Sequence, residues 1–362
     1  MRPNPDSYEA EWMRNVRSAV PYTPGEQPGV SDIIKLNTNE NPFPPAPGVL
    51  EALEHFDGGK LCLYPDPGSS ALKCALAQRY GVSERNVFVG VGSDDVLAMS
   101  FLTFFNGGTP ILFPDITYSF YDVWAELFRI PYRTVPLKED WSIDPADYLC
   151  GNGGIIFANP NAPTGCAMGL DGIEKIVAGN PSSVVISDEA YVDFGAESAL
   201  PLTFRYDNLL VVQTFSKSRS LAGLRIGFAI GSEQLIACLE NVRNSFNSYT
   251  MSRLTIELGT AAVKDEAYFQ KCCEEIIATR EWAKGVFREL GFECTDSKSN
   301  FLFVSPKGIS AEELFGKLRE RRIFVRYFSK ERIRDRLRVT VGTRAQMEKL
   351  FEAIKEIISE KG

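Results

Sequence analysis

One lysine follows a continuous apolar run and stands among hydroxyl groups. Lys217 lies in "TFSKSRSLAG", directly after "LLVVQ", and the apolar run predicts a buried strand that ends just before the lysine. Such a lysine either extends its amine to solvent or is desolvated, which favours a neutral, nucleophilic amine that can form a Schiff base. Ser216, Ser218 and Ser220 offer hydroxyl groups beside it, and Arg225 can hold a phosphate through two hydrogen bonds.

A second candidate site lies in "VGVGSDDVLAM", where a glycine-rich strand end runs into a predicted helix start. The free N–H groups and the dipole of a helix N-terminus favour an anion such as phosphate next to Ser93 and Asp94. The same residues also fit a capped helix, with Ser93 as N-cap and acidic residues in the first turn. A dinucleotide-binding loop is a third interpretation, but Gly90 and Gly92 are not followed by the third glycine of that motif.

Asp188 ends another apolar run, in "SSVVISDEAYVDF". A carboxylate buried there needs a cationic partner, and a protonated pyridine nitrogen is a suitable one. Tyr191, three residues later, can hydrogen-bond the same ring. The alternative interpretation is a group of surface carboxylates at a junction between a strand and a loop.

The segments around these residues alternate between short apolar runs and helical patterns. Strand-like runs include "NVFVGVG", "TPILFP", "GGIIFANP", "SSVVIS" and "LLVVQ", and helical patterns such as "SDDVLAMSFLTFF" separate them. Continuous apolar strands joined by helices predict an α/β fold with a mostly parallel sheet covered on both faces. The carboxyl ends of parallel strands share one edge, where we expect "GSDD", "NPNAPTG", "SDEAY" and "TFSK" to meet.

The pattern changes near residue 255, where a long charged helical segment begins. Shorter strand-like and helical stretches follow it, which predicts a smaller α+β domain. The N-terminal segment is rich in Pro, Gly and Asn and is expected to cross a junction between domains or subunits. We therefore predict a large cofactor-binding domain at residues 31–255 and a small domain at residues 256–362, which residues 1–30 join.

The composition argues against several classes of function. A net charge of -8 disfavours a general electrostatic grip on nucleic acid or anionic lipid, so small molecules are the expected partners. No apolar stretch approaches the ~18 residues of a membrane span, and the first residues show no signal sequence, so we expect a cytoplasmic protein. A single histidine, His55, and eight cysteines without a C-x-x-C pair argue against a histidine triad, disulfides and a metal site.

Together these motifs resemble the class II aminotransferases, which use pyridoxal phosphate and have fold type I. "TFSKSRSLAG" resembles their cofactor-lysine signature, and "GSDD", "NPNAPTG" and "SDEAY" precede it in the family's order. More specifically, "LNTNENPFPPAP", "YPDPGSSALKCALA", "DITYSFY", "NSFNSY" and "LRVTVGT" look like the histidinol-phosphate aminotransferases. The resemblance covers nearly the whole chain, from Tyr22 to Gly342.

The resemblance implies a role for each matching residue. Lys217 would form the Schiff base with the cofactor, Asp188 would pair with the pyridine nitrogen, and Tyr191 would bind the 3′-oxygen together with Asn161. One departure affects the last contact, because relatives commonly have Asn where this chain has Ala162. The other implied cofactor contacts are stacking by Tyr118 and phosphate binding by Ser93, Asp94, Ser216, Arg225 and, from a neighbouring subunit, Tyr64.

The resemblance also implies a substrate site and a reaction. Arg338 and Arg326 would bind the anionic end of the substrate, with Tyr22 and Asn247 as further contacts. The expected reaction moves an amino group from an amino donor to a 2-oxo acid, here between histidinol phosphate and 2-oxoglutarate in histidine biosynthesis, by a homodimer. An aminotransferase for aromatic or other amino acids and an enzyme like threonine-phosphate decarboxylase stay open as alternatives. A non-catalytic regulator is a further one, but it would need an added DNA-binding region.

Overall fold

The computed structural model describes residues 11–17, 19–29 and 32–360. Its strands are β1 (Ile34–Lys35), β2 (Val87–Gly90), β3 (Ile111–Pro114), β4 (Tyr132–Val135), β5 (Ile155–Ala158), β6 (Val185–Asp188), β7 (Leu209–Thr214), β8 (Gly227–Ile230), β9 (Glu293–Cys294), β10 (Phe301–Ser305), β11 (Ile323–Phe324), β12 (Arg326–Tyr327) and β13 (Leu337–Thr340). Its α-helices are α1 (Pro47–Glu54), α2 (Ser70–Tyr80), α3 (Ser93–Phe104), α4 (Tyr121–Phe128), α5 (Leu170–Gly179), α6 (Glu233–Phe246), α7 (Arg253–Lys264), α8 (Glu266–Glu289), α9 (Ala311–Glu320) and α10 (Arg344–Ser359).

The largest sheet has seven strands in the order β2-β8-β7-β6-β5-β3-β4. All neighbouring pairs are parallel except those of β8, which runs antiparallel to both β2 and β7. Every residue of β5, β6 and β7 is buried, which explains why their apolar runs are continuous instead of alternating with polar residues. The predicted α/β fold with a mostly parallel sheet is confirmed.

Helices cover both faces of this sheet. Along β7, Leu210 and Val212 pack in one core with residues of α3, α4 and α6, while Leu209 and Val211 pack on the opposite face with residues of α5. This alternation is the two-residue period of a strand, and it fixes which side chains of each strand face which helices. The strands are therefore held rigidly, and their carboxyl ends have fixed positions.

A second, antiparallel sheet in the order β12-β13-β10-β9 forms the small domain. Phe287 of α8, Leu302 of β10 and Leu350 of α10 belong to its core. A capping box begins α10, because the Thr343 hydroxyl accepts from the Gln346 N–H and the Gln346 side chain accepts from the Thr343 N–H. The predicted α+β character of this part is present.

The N-terminal segment joins the small domain through a parallel pairing of β1 with β11. The predicted domain boundary at residues 255 and 256 falls inside α7, whose Ile256 packs in the same core as Leu72 of α2. The domain limits stay a prediction, and residues 1–10 of the predicted small domain lie outside the described residues. Across the described ranges, no helix combines the length and apolar character needed to cross a bilayer, and no cluster of metal-ligating side chains occurs.

Candidate active site

A cleft opens at the carboxyl edge of the large sheet, and residues of the small domain also line it. Eleven of the predicted site residues line it: Tyr22, Ser93, Asp94, Tyr118, Asp188, Tyr191, Ser216, Lys217, Arg225, Arg326 and Arg338. They come from segments that are well separated along the chain, so the fold and not local sequence brings them together. Tyr64, Asn161 and Asn247 are not among the lining residues.

Lys217 follows β7 and points its amine into the cleft. Its Nζ donates a hydrogen bond to the carbonyl oxygen of Thr38, at 3.1 Å, and lies 5.7 Å from the centre of the Tyr191 ring. The side chain is only half-buried and makes no ion pair with any residue of the described ranges. The amine is therefore accessible from the cleft and held by a neutral acceptor, an arrangement that leaves it able to react.

Asn41 and Asp193, which no motif marks, hold the segment around this lysine. Asn41 Nδ2 donates to the carbonyl oxygens of Lys217 and Ser218, at 2.9 and 3.1 Å. The Ser218 hydroxyl donates to Asp193 Oδ2, which gives this serine a structural partner. No local pattern marks Asn41 for this role, because 176 positions separate it from Lys217.

Asp188 is the last residue of β6 and is almost wholly buried at the floor of the cleft. Tyr121 Oη donates to its Oδ2 at 2.7 Å, and the Ala190 N–H donates to its Oδ1 at 3.3 Å. Burial raises the pKa of this carboxyl group to about 6, although both hydrogen bonds act in the opposite direction. No basic side chain of the described residues forms an ion pair with it, so the site has a place for a cationic group.

The N-terminus of α3 faces the same cleft. Gly92 is its N-cap with φ of 90°, and no side chain caps the helix, so the capped-helix interpretation with Ser93 as N-cap is wrong. A Cβ atom on Gly92 would lie 2.5 Å from Arg225 Nη2, and one on Gly227 would lie 2.3 Å from the Ser93 nitrogen. The positive φ of Gly92 and the contact of Gly227 with the backbone of the helix start both require glycine. The result is an anion site made of N–H groups and a guanidinium group.

Arg225 connects the parts of this anion site. Its Nη1 donates to Ser216 Oγ at 3.3 Å, and its Nη2 lies 3.4 Å from Asp94 Oδ2. Asp94 Oδ1 in turn accepts a hydrogen bond from Tyr118 Oη at 2.8 Å. Burial raises the pKa of the Tyr118 hydroxyl well above its ordinary value, so the group stays neutral and keeps its ring fixed over the cleft.

Two arginines from the small domain lie on the opposite side of the cleft. Arg338 Nη2 donates to the Asn37 carbonyl at 3.0 Å, and Arg326 donates to the carbonyls of Thr23 and Pro24. Arg338 Nε is buried without a hydrogen-bond partner, and burial lowers the pKa of its guanidinium group. Within the described residues neither arginine pairs with a carboxylate. Their unused donors are suited to bind an anionic substrate.

The sequence matches the family model of the class I and II aminotransferases over residues 31–354. The chain belongs to this aminotransferase family. Histidinol-phosphate aminotransferase 1 of Hydrogenovibrio crunogenus is 54% identical over 347 residues, which is 96% of this chain and 98% of the relative. Histidinol-phosphate aminotransferase 2 of Dechloromonas aromatica is 53% identical over 350 residues, with 96% of this chain and 98% of the relative covered.

A solved structure supports the same assignment. The histidinol-phosphate aminotransferase of Sinorhizobium meliloti, in complex with pyridoxal-5′-phosphate, superimposes with a TM-score of 0.83 at 25% identity. The alignment covers 91% of this chain and 92% of that chain. The fold type I assignment made from the motifs is therefore confirmed.

Pyridoxal phosphate is the cofactor of this aminotransferase family, and the cleft fits it. Asp188, a buried carboxylate without a cationic partner, suits a protonated pyridine nitrogen. The uncapped α3 N-terminus with Ser216 and Arg225 suits a phosphate group, and the free amine of Lys217 suits an aldehyde. Tyr121, the hydroxyl donor to Asp188, was missed, because nothing in "TYSFYDVW" marks it as more than a core aromatic residue.

Three predicted site residues lie outside the cleft lining of this aminotransferase. Asn161 is buried, and its amide donates to the Ile116 carbonyl and the Thr164 hydroxyl while its oxygen accepts from Thr117. It has no free group for the ring oxygen of a cofactor, so the geometry gives that predicted contact no support. Asn247 is the C-cap residue directly after α6, accepts from the Tyr249 N–H, and does not line the cleft that the arginine pair faces.

Tyr64 is the third residue, and its side chain is exposed. It has 79% of its surface accessible, and its ring packs against that of Tyr249, with 4.8 Å between the ring centres. The Tyr64 carbonyl accepts from Arg253. A single chain therefore holds this tyrosine on its surface, outside its own cleft.

Proposed function

We propose that this enzyme transfers the amino group of histidinol phosphate to 2-oxoglutarate, giving imidazole acetol phosphate and glutamate, as a step of histidine biosynthesis. The similarity to histidinol-phosphate aminotransferases over nearly the full length of both chains carries this proposal. The arginine pair supports it, because guanidinium groups bind the oxygens of both phosphate and carboxylate groups. One site can then accept histidinol phosphate in one half-reaction and a dicarboxylate in the other.

Each lining residue has a physical task in this reaction. Pyridoxal phosphate, when bound, supplies an aldehyde that takes up the amine and a pyridinium ring that accepts electrons as a proton leaves carbon. Asp188 would keep the ring nitrogen protonated through an ion pair that also offsets part of the cost of burying its own charge. Lys217 Nζ removes the proton from the substrate carbon that carries the amine. It then returns this proton to the carbon of the cofactor's former aldehyde group. The Thr38 carbonyl, which accepts from Nζ, orients this amine between the two carbon atoms.

Arg326 and Arg338 bind the anionic end of the substrate and so set the distance of its amine from Lys217. Tyr22 contributes an aromatic wall, since its ring stacks on Phe120 with 4.2 Å between the ring centres. This wall lies beside Tyr118 and gives an imidazole or another flat group an apolar surface to pack on.

The alternatives differ in the substrate group that the arginine pair must bind or in the product that is released. An aromatic aminotransferase needs it to bind carboxylates alone, and an enzyme like threonine-phosphate decarboxylase releases carbon dioxide instead of exchanging an amine. Steady-state kcat/KM values should therefore be measured for histidinol phosphate, phenylalanine, tyrosine and threonine phosphate, each with 2-oxoglutarate. We expect histidinol phosphate to give the highest value, with glutamate as product. No turnover of histidinol phosphate, or faster turnover of an aromatic amino acid, would reject the assignment.

The proposed active form is a cytoplasmic homodimer in which Tyr64 reaches the cofactor phosphate of the neighbouring subunit. Apolar side chains that lie close in the chain to Tyr64 or to its ring partner Tyr249 are also exposed, which supports an interface at this surface: Leu61, Leu63 and Phe246. Burying such a patch favours association, because exposed apolar surface is costly in water. Light scattering at working concentration should give twice the mass of the chain.

A further inference from the structure

Asn39 links the N-terminal segment to two domains inside the cleft. Its side chain is almost wholly buried, and it lines the cleft beside Tyr191. Asn39 Nδ2 donates to Tyr191 Oη at 2.9 Å, and Asn39 Oδ1 accepts from Thr340 Oγ1 at 3.0 Å. The backbone N–H of Asn39 donates back to Thr340 Oγ1, also at 3.0 Å. Asn39 and Thr340 thus form a closed, reciprocal pair.

This pair fixes the orientation of the Asn39 amide. The Thr340 hydroxyl accepts from the Asn39 backbone N–H and donates its single hydrogen to Asn39 Oδ1, so the amide orientation in the structure satisfies both groups. A flipped amide would leave that hydrogen without this acceptor. Nδ2 therefore faces Tyr191 as a donor, and the Tyr191 oxygen is the acceptor. The hydrogen of the Tyr191 hydroxyl cannot point to Asn39 and is directed into the cleft.

The backbone at Asn39 is built for the same purpose. Its φ of 56° is in the left-handed region, which Asn, Asp and Gly adopt most readily. The fully buried Asn300 holds this conformation, since its Nδ2 donates to the Asn39 carbonyl at 3.0 Å. The segment is thereby fixed to the small domain at two points, through Asn300 and Thr340.

We propose that Asn39 is a positioning residue that makes Tyr191 a hydrogen-bond donor to the ring oxygen of the bound cofactor. This inference rests on the proposed function, because it assigns that oxygen to the space in front of Tyr191. Asn161 has no free amide, and Ala162, which lines the cleft, has no polar group. Tyr191 is then the side chain that donates a hydrogen bond to this oxygen, and Asn39 directs the Tyr191 hydrogen towards it.

Donation by Tyr191 withdraws negative charge from the ring oxygen. That charge would otherwise help the adjacent nitrogen, contributed by Lys217, to keep its proton. The visible absorbance of the lysine-bound cofactor changes as this nitrogen titrates, so its titration midpoint reports the hydrogen bond. The charged side chains that face this cleft are Lys217, Asp94, Asp188, Arg225, Arg326 and Arg338, and none of them is changed in the proteins whose midpoints are compared.

The test is a visible-absorbance pH titration of the holoenzyme for four proteins: wild type, Asn39→Asp, Tyr191→Phe and the double variant. The carboxylate introduced by Asn39→Asp would accept the Tyr191 hydrogen and remove it from the ring oxygen, while it keeps the shape and the backbone of asparagine. We expect Asn39→Asp to raise the midpoint by about 1 unit, the value of one hydrogen bond to a charged group. On the Tyr191→Phe background, the same substitution should leave the midpoint nearly unchanged.

A second measurement uses the apo-protein and does not depend on the cofactor. The ionisation of Tyr191 is followed by ultraviolet difference absorbance, with Tyr191→Phe subtracted. Asn39→Asp should raise the pH of this ionisation, and Asn39→Gly, which fits the same backbone but leaves the hydroxyl free to rotate, should raise it less or not at all.

Equal midpoints in wild type and Asn39→Asp would overturn the inference. An equal shift with and without Tyr191 would also overturn it, because the added charge alone would then explain the effect. If wild type shows no visible band that Lys217→Ala removes, the proposed function itself fails. A wild-type band with an unchanged Asn39→Asp midpoint instead rejects the role of Asn39 alone.

Discussion

Arg326 and Arg338 occupy directly opposite positions on the antiparallel strands β12 and β13. Like charges at facing positions of a sheet destabilise it, and neither arginine is paired with a carboxylate in the described part of the chain. The small domain therefore keeps a local charge repulsion that an anion would relieve. This relation makes the pair a binding site for an oxyanion more than a stabilising feature of the fold.

We predict that Arg338→Ala lowers kcat/KM for both histidinol phosphate and glutamate by about 100-fold, as expected for loss of a charge-assisted bidentate contact. Both half-reactions should suffer, because one guanidinium group serves phosphate and carboxylate. Arg344→Ala removes an exposed arginine paired with Glu348 on α10 and is the matched control, with no expected change. A loss confined to one of the two substrates would contradict the shared site.

A second prediction concerns the buried charge of Asp188. Its pKa in the folded apo-protein is about 6, above the ordinary 3.8, so the folded state disfavours the ionised form. Its contribution to stability is therefore highest at low pH and falls as the pH rises from about 4 to about 6. Relative to Asp188→Asn, the free energy of unfolding of the wild-type apo-protein should fall by about 2 kcal/mol between pH 4.5 and 7.5.

Denaturant unfolding of both apo-proteins at the two pH values measures this difference. Saturation with pyridoxal phosphate should reduce it, because the pyridinium group then pairs with the Asp188 carboxylate. A difference that does not depend on pH would show that Asp188 titrates normally and is not an uncompensated buried group.

A third prediction concerns the contact between the small domain and the large sheet near β3. Arg332 Nη1 lies 2.6 Å from Asp115 Oδ2, Arg332 Nη2 donates to the Leu137 carbonyl, and Lys330 Nζ donates to the Asp115 carbonyl at 2.6 Å. This contact ties down the segment that carries Phe328, which lines the cleft.

Arg332→Ala should raise KM for histidinol phosphate about 5-fold, with little change in kcat. This factor corresponds to the stabilising free energy of a partly buried ion pair, about 1 kcal/mol. The exposed Arg334, two residues away, supplies the control Arg334→Ala. Steady-state kinetics at low and at high salt distinguish the two, since the Arg332 effect should shrink as salt screens the wild-type pair. An unchanged KM in Arg332→Ala would show that this contact does not position the cleft lining.

The fourth prediction tests Tyr64 as a residue of the partner's site. Tyr64→Ala should weaken the binding of pyridoxal phosphate, although the residue lies outside its own cleft. At a cofactor concentration that leaves the Tyr64→Ala variant unloaded, mixing it with inactive Lys217→Ala subunits should restore about a quarter of wild-type activity, because hybrid dimers contain one intact site. Phe204→Ala removes another exposed aromatic side chain and is the control. The absence of activity in the mixture would contradict a role of Tyr64 in the partner's site.

The sequence predicted those site residues that stand where strands end. Lys217, Asp188 and Ser93 each follow an apolar run, and parallel strands must bring such positions to one edge. Arg225 was predicted from its spacing after the lysine, and the structure brings it to the same anion site.

Other contacts could not be read from local pattern, since they join segments far apart in the chain. Asn39 and Tyr191 are 152 positions apart, and Tyr121 reaches Asp188 across 67 positions. For Asn161, by contrast, the motif predicted a contact that the structure does not support. Its amide donates hydrogen bonds to the Ile116 carbonyl and the Thr164 hydroxyl instead. A sequence motif names such a residue but does not show where its polar groups point.

The most direct test of the proposed reaction is the first half-reaction, followed by absorbance without an amino acceptor. Addition of histidinol phosphate to the holoenzyme should abolish the visible absorbance of the Lys217-bound cofactor in a single turnover. Subsequent addition of 2-oxoglutarate should restore it and release one glutamate per site. If histidinol phosphate leaves the absorbance unchanged while another amine abolishes it, the assignment of this cleft to histidinol phosphate is wrong.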